Sequence, residues 1–199
     1  MFNRISQKLS DQFEQQGIIS SDEKELYSYG LRQGFTILLN ILSVALIGWM
    51  LDALVECCIY LIAYTVLRIF AGGYHARTPI RCYLFFITMV TACLLVIKYL
   101  PLTDLICCVL FSIGIVCVFL LAPVEDKNKP LDEIERQVYR KRTYIVLFVE
   151  LLVFSISMTN HLLMLCLPIS CAVASIAILM IAGYFKNKTA CKHDTGKSD

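Results

Sequence analysis

The amino-acid sequence predicts an all-α, polytopic membrane protein with six transmembrane helices and amphipathic helices at its N-terminus. Three observations predict this class. The 199 residues are 58% hydrophobic and only 17% charged, whereas soluble domains carry about 25% charged residues. The apolar residues gather into six runs of the kind that spans a bilayer. The Lys and Arg residues gather between alternate runs, which is typical of a multi-pass protein.

Each predicted span is an apolar run that ends where polar residues or turn formers interrupt it. We expect the six spans at residues 35–51, 53–70, 83–97, 105–122, 144–159 and 162–184. The third and fifth are shorter than the roughly 20 residues that cross the hydrocarbon core. Hydropathy therefore defines the ends of these two runs least well.

The predicted organisation is a single integral membrane domain over residues 1–199. Its parts are interfacial helices over 1–34, a six-span core over 35–184 and a cytoplasmic tail over 185–199. The core contains a loop of reactive residues at 68–82 and a basic cytoplasmic loop at 123–142.

The N-terminal segment has the pattern of a helix that lies in the membrane interface. Hydrophobic residues recur among polar neighbours at nearly helical spacing, at Ile5, Leu9, Phe13 and Ile18. The stretch SSDEKEL then offers Ser20 or Ser21 as the N-cap of a second helix, with acidic residues in its first turn.

The basic residues predict the orientation. All of the 18 Lys and Arg residues except Lys98 lie before the first span, around the turn after the second, after the fourth, or in the tail. Basic residues favour the cytoplasmic side. We therefore expect both termini in the cytoplasm of a cell-membrane protein, with the 68–82 loop at the cytoplasmic leaflet.

The stretch RIFAGGYHARTPIRC, residues 68–82, is unusually polar for its surroundings and contains His75 and Cys82. On one continuous helix these two residues would lie about 10.5 Å apart along the axis. A histidine that activates a thiol must approach it to roughly 3 Å. The AGG sequence and Pro79 instead favour a loop over 71–78, which would fold His75 back over the next helix.

The beginning of that next helix is readable. Thr78 is a suitable N-cap, and Pro79 suits the first helical position. Cys82 then lies about one turn into the helix, close in sequence to Arg77 and Arg81. A helix N-terminus, neighbouring cations and an imidazole all favour a thiolate. This arrangement suits nucleophilic catalysis.

Other interpretations of the same residues stay open. Cys82 could be a packing residue and His75 an interfacial polar group, and the Gly-Gly turn with its arginines could bind phosphate. One His and one Cys supply too few ligands for a metal site, so we predict no metal and no cofactor. A peptide exporter without proteolytic activity would use Arg68, Glu56 and Glu150 to line its path, and a membrane scaffold would need none of these residues.

The sequence LRIFAGGYHARTPIRC, followed after the fourth span by APVEDKNKPL, closely resembles the accessory gene regulator B (AgrB) family. Members of this family are membrane-embedded cysteine endopeptidases of Gram-positive quorum-sensing systems. They cut the C-terminal part from a short precursor peptide and close the remainder into a thiolactone or lactone ring. The resemblance implies an AgrD-like precursor as substrate, the lipid bilayer as surroundings, a homodimer and no nucleic-acid partner.

The resemblance also implies roles for individual residues. His75 takes the position of the general base and Cys82 that of the nucleophile. Arg68 and Gly73 fill the other positions of the motif that is associated with activity. The signature of the basic loop is matched by Lys127, Lys129 and Pro130.

Several polar residues are candidates for supporting roles. Arg68, Arg77 and Arg81, and the basic loop, would attract a precursor with an acidic C-terminal segment. Glu150, inside the fifth span, would pair with a basic residue or line a peptide-binding cavity, because ionisable residues in spans are usually paired and functional. A third residue that orients His75 is left open among Gln33, Asn40, Glu56 and Glu150.

Overall fold

The structure is a computed structural model that describes the backbone of residues 2–74, 78–99, 103–125 and 131–195, with the side chains of all these except residues 2 and 189–195. The described residues form seven helices and no strand. In chain order these are α1 (Phe2–Gln15), α2 (Lys24–Met50), α3 (Leu54–Ala71), α4 (Pro79–Tyr99), α5 (Asp104–Leu121), α6 (Glu133–Thr159) and α7 (Leu163–Thr195).

Six of these helices, α2 to α7, are long and apolar enough to cross a membrane. The predicted fold class is therefore confirmed: an all-α, multi-pass membrane protein with an additional N-terminal helix. The chain divides into two compact units, Met1–Ile47 and Gly48–Asp199, with the boundary inside α2. The predicted division into domains stays a prediction.

In the N-terminal unit, α1 and the start of α2 are held together by ion pairs. Lys24 Nζ lies 2.8 Å from a carboxylate oxygen of Asp11 and 2.8 Å from one of Glu14. Before α2, the Ser20 backbone N–H donates to the Glu23 carboxylate at 3.1 Å and the Ser20 hydroxyl donates at 2.9 Å. Both bonds lower the pKa of the Glu23 carboxyl group, and the bond from the Ser20 backbone has the larger effect.

The starts of α2 and α6 lie well before the predicted spans. The predicted helix start after Ser20 or Ser21 is wrong, because α2 begins at Lys24. From there α2 runs without a break into the first predicted span. The predicted basic loop at 123–142 is also helical from Glu133 onwards, where Asp132 and Glu135 form a capping box. Ile18 lies beyond the end of α1, and more than half of its side chain is exposed.

In the second unit, α7 is the central helix and contacts α3, α4, α5 and α6. Its residues from Cys166 to Met180 are almost all buried. Gly114 of α5 allows close packing, because a Cβ there would lie 2.8 Å from Val173 Cγ1 of α7. On the α3 side, the Tyr60 hydroxyl is 3.1 Å from Ser175 Oγ of α7. Small residues and interhelical hydrogen bonds are the usual means of packing helices in membranes.

Candidate active site

Two glycines end α3 and turn the chain towards the reactive stretch. Gly72 has φ 72° and ψ −145°, and its N–H donates to the Arg68 carbonyl at 3.3 Å. Gly73 follows with φ 118°. Side chains are strained at these positive φ values, so only glycine fits both positions comfortably. The predicted loop after Ala71 is therefore confirmed at both of its ends, since α4 begins at Pro79.

The two glycines pair with the segment that follows α5. The Val124 N–H donates to the Ala71 carbonyl at 3.0 Å, and the Gly73 N–H donates to the Val124 carbonyl at 3.2 Å. Gly72 and Val124 thus form an isolated parallel bridge. A Cβ on Gly72 would overlap the Val124 carbonyl oxygen. We call residues 71–74 together with 122–125 the junction.

The junction is fastened to α7. The Tyr74 N–H donates to the carbonyl of Leu179 at 2.9 Å. On the other side of the junction, Asn187 Nδ2 donates to the Glu125 carbonyl at 2.7 Å. Tyr74 directly precedes His75, and Glu125 lies in the predicted basic loop two residues before Lys127. Both are therefore bonded to α7.

The Arg68 side chain lies across the turn at the end of α3. Its Nη1 donates to the Gly72 carbonyl, and its Nη2 donates to the Tyr74 carbonyl at 2.5 Å. A planar guanidinium presents several donors in a fixed fork, so it can hold two carbonyls at once. A Cβ on Gly73 would overlap Arg68 Nη1. The geometry of Arg68 is that of a support for the loop that precedes His75.

The other half of the junction is supported by α6. Arg140 Nε donates to the Ala122 carbonyl at 3.3 Å. Arg136 forms an ion pair with Glu125, with Arg136 Nε at 2.7 Å from Glu125 Oε1. These basic residues were predicted only as part of a cytoplasmic loop, and here they fix backbone and side-chain groups of residues 122–125.

Cys82 lies near the start of α4 as the sequence predicts. Pro79 is the first helical residue. The Thr78 hydroxyl accepts from the Arg81 N–H at 3.4 Å, and the Cys82 N–H donates to the Thr78 carbonyl at 3.1 Å. Arg81 and Cys82 are both exposed. The predicted N-cap is confirmed, and the thiol is accessible from outside the protein.

Tyr74 links the junction to the helix of the thiol. Its ring centroid is 5.9 Å from that of Phe85, which lies on α4. Residues three apart on a helix share a face, so Phe85 lies one turn beyond Cys82 on that face. Lys186 Nζ of α7 lies 5.1 Å from the centre of the Tyr74 ring. The residue immediately before His75 is thus packed next to the first turns of α4.

The predicted site residues divide into those that the structure describes and those that it does not. Arg68, Gly73, Arg81, Cys82 and Glu150 are described. His75, Arg77, Lys127, Lys129 and Pro130 lie outside the described residues. Within the part of the chain that is described, no group of three or more His, Cys, Asp or Glu residues has the geometry of a metal site.

The carboxylates predicted to support the site lie away from the junction. Glu56 is in the first turn of α3, about 22 Å from Ala71 along the helix axis. Glu150 is about 15 Å along α6 from Arg140, the residue that contacts the junction. Both Glu150 carboxyl oxygens are buried and have no hydrogen-bond partner among the described residues. Gln33 and Asn40 belong to the N-terminal unit.

Sequence reasoning missed most of the groups that form or contact the junction, namely Val124, Leu179, Arg140, Asn187 and Gly183, where a Cβ would lie 2.8 Å from the Tyr74 nitrogen. Hydropathy gives no signal for a backbone carbonyl such as that of Leu179. Gly183 does carry a signal, because an isolated glycine inside a helical pattern often has a packing reason.

Comparison with known proteins agrees with the motif. The model of the family described as "Accessory gene regulator B" matches residues 2–181. Two proteins of Clostridium perfringens are each 27% identical over 164 residues, covering 76% of this chain and 77% of their own length. They are the "Putative AgrB-like protein" of strain SM101 and the "Putative AgrB-like protein 2" of strain 13. No solved structure matches the chain. With the family model covering nearly its whole length, the chain belongs to the accessory gene regulator B family.

Proposed function

We propose that the protein is a membrane-embedded cysteine endopeptidase that removes the C-terminal segment of an AgrD-like quorum-sensing precursor and promotes cyclisation of the remainder. Family membership supports a role in accessory gene regulator peptide processing. The finer proposal is that Cys82 is the nucleophile and His75 the general base, and that the product is a thiolactone or lactone peptide.

The contact between Tyr74 and Phe85 is the observation that carries this proposal. His75 directly follows Tyr74, whose ring lies 5.9 Å from the Phe85 ring, and Cys82 lies one turn from Phe85 on α4. A bond from Tyr74 to Leu179 and two from Arg68 fix the chain up to that point. Tyr74 therefore packs against α4 one turn beyond Cys82, which supports the proposed approach of His75 to the thiol.

The first half of the proposed reaction makes a thioester. His75 takes the proton of the Cys82 thiol, and the thiolate attacks the peptide carbonyl at the cleavage site. A C–S bond forms and the C–N bond breaks, while the imidazolium gives its proton to the departing amine. The C-terminal segment leaves, and the N-terminal part of the precursor stays attached to Cys82.

The second half closes the ring. A cysteine thiol within the bound peptide gives its proton to His75 and attacks the thioester carbonyl. The Cys82 thiolate leaves, and the peptide becomes a thiolactone; a serine hydroxyl would give a lactone in the same way. Thioester exchange changes the free energy little, so cyclisation can compete with hydrolysis if water is limited. A site at the membrane interface limits water.

Basic residues of the proposed site suit an acidic leaving segment. Arg81 is exposed beside Cys82, and we propose that it attracts such a segment together with Arg77, Lys127 and Lys129. Arg68 has a different environment, because its guanidinium holds two backbone carbonyls. We propose both termini and this site on the cytoplasmic side of the membrane, and a homodimer as the assembly.

The direct experiment is to incubate the purified protein in detergent with a synthetic precursor and to analyse both by mass spectrometry. We expect release of the C-terminal segment and a peptide attached to Cys82 through a thioester, which hydroxylamine removes. Two results together would contradict the mechanism: no adduct on Cys82 after rapid quenching, and cleavage that continues when Cys82 is replaced. A protein that moved the intact precursor across vesicles without cutting it would be the exporter.

Alkylation of Cys82 offers a prediction that needs no substrate. If His75 activates the thiol, Cys82 should react rapidly with iodoacetamide at pH 7, below the pKa of about 8.5 of an ordinary thiol. In His75→Ala the rate at pH 7 should fall roughly tenfold or more, because only a few per cent of an ordinary thiol is ionised there. The labelled Cys82 peptide is quantified by mass spectrometry. Equal rates in the two proteins would remove His75 as the activating base.

A further inference from the structure

The surface of α7 beneath the junction contains a glycine that the proposed mechanism has not used. The Tyr74 N–H donates to the Leu179 carbonyl at 2.9 Å. In an α-helix that carbonyl points towards the N–H four residues later, which is Gly183. A carbonyl oxygen can accept two hydrogen bonds. The second donor has to approach the helix past the position that a side chain at residue 183 would occupy.

Any side chain at residue 183 would meet the backbone of the junction. A Cβ there would lie 2.8 Å from the Tyr74 nitrogen and 3.0 Å from the Gly73 carbonyl carbon. It would also lie 3.1 Å from Val124 Cγ1. The Val124 side chain can rotate away from such a contact, but the backbone of residues 73–74 is fixed by Arg68 and Leu179.

The helix itself has no need of this glycine. Gly183 is buried in the continuous helix α7, and alanine stabilises a helix more than glycine does. Glycine at this position therefore benefits the junction and not the helix, because it lets the junction lie directly on the α7 backbone.

We propose that Gly183 is a positioning residue for the catalytic loop: it lets α7 act as the platform on which Gly73 and Tyr74 rest, and so sets where His75 leaves the junction. This inference rests on the proposed function for its catalytic meaning. Its structural content, the docking of Tyr74 on Leu179, is independent of that function.

The test is the Gly183→Ala variant of the full-length protein in detergent, with Gly34→Ala as the matched control. Gly34 is also in a helix, but a Cβ there would meet nothing within 4 Å. We expect Gly183→Ala to stay monodisperse and helical, with kcat for precursor cleavage lowered about 100-fold and KM much less changed, because a displacement near 1 Å can cost that much. The Cys82 alkylation rate at pH 7 should fall towards that of His75→Ala.

Hydrogen exchange separates this inference from the proposed function. The Tyr74 amide should exchange slowly in the wild-type protein and in Gly34→Ala, and about tenfold faster in Gly183→Ala, where its bond to Leu179 is lost. Adding Val124→Ala should not restore protection, because the contacts with the 73–74 backbone remain. Unchanged exchange in Gly183→Ala would overturn the inference, and so would aggregation of that variant. If wild-type protein cut no precursor but the exchange result held, the proposed function alone would fail.

Discussion

Replacing Cys82 with alanine should abolish cleavage of the precursor and leave the protein folded. The acyl-enzyme cannot form without the sulfur, and loss of a catalytic nucleophile costs on the order of a thousandfold or more in kcat. Because Cys82 is exposed near the start of α4, its truncation leaves no cavity in the core. The released C-terminal segment is measured by mass spectrometry, and folding by the thermal unfolding midpoint.

Two further variants sharpen this result. Cys58→Ala removes another exposed thiol, on α3, and should cleave at the wild-type rate. Cys82→Ser should lose most activity, since a hydroxyl is a much weaker nucleophile than a thiolate. Precursor cutting that continued in Cys82→Ala would eliminate the proposed enzyme, whereas transport of intact precursor by that variant would favour an exporter.

The sequence predicts two kinds of helix boundary with very different success. The helices α3 and α5 lie within one residue of their predicted spans, because each apolar run is bounded by polar or turn-forming residues. In contrast, α2 and α6 each begin 11 residues before the predicted span. Their first turns are polar helix formers such as KELYS and EIERQ, which extend a helix without raising its hydropathy.

Local chemistry was sufficient to predict the start of α4. Thr78 and Pro79 specify a helix N-terminus from their own side chains, so the place of Cys82 in that helix follows from adjacent residues. The same is true of the break after Ala71, which the two glycines encode.

The junction was beyond the reach of a single sequence. Within it Gly72 pairs with Val124, and its Tyr74 bonds to Leu179 of α7. Both pairs are far apart in the chain and meet through backbone groups. Backbone hydrogen bonds leave no mark on the identity of most of the residues that make them. The only sign in the sequence of these close backbone approaches is the presence of glycine at residues 72, 73 and 183.

Arg68→Lys should lower the rate of precursor cleavage about 100-fold although it keeps the positive charge. The Arg68 guanidinium donates from two nitrogens to the carbonyls of Gly72 and Tyr74. A lysine ammonium is a single point on a flexible chain and cannot reproduce that fork. The loop before His75 would lose its support, and a displacement near 1 Å is enough for such a loss.

The charge-conserving change discriminates between two roles of Arg68. If the residue served mainly to attract an acidic segment of the precursor, lysine would preserve most of the activity and a neutral residue would raise KM. If it supports the junction, Arg68→Lys lowers kcat with little change in KM. Arg32→Lys, in the N-terminal unit, is the matched control and should behave as wild type. A near-normal kcat in Arg68→Lys would indicate that Arg68, like Arg81, serves to attract the substrate.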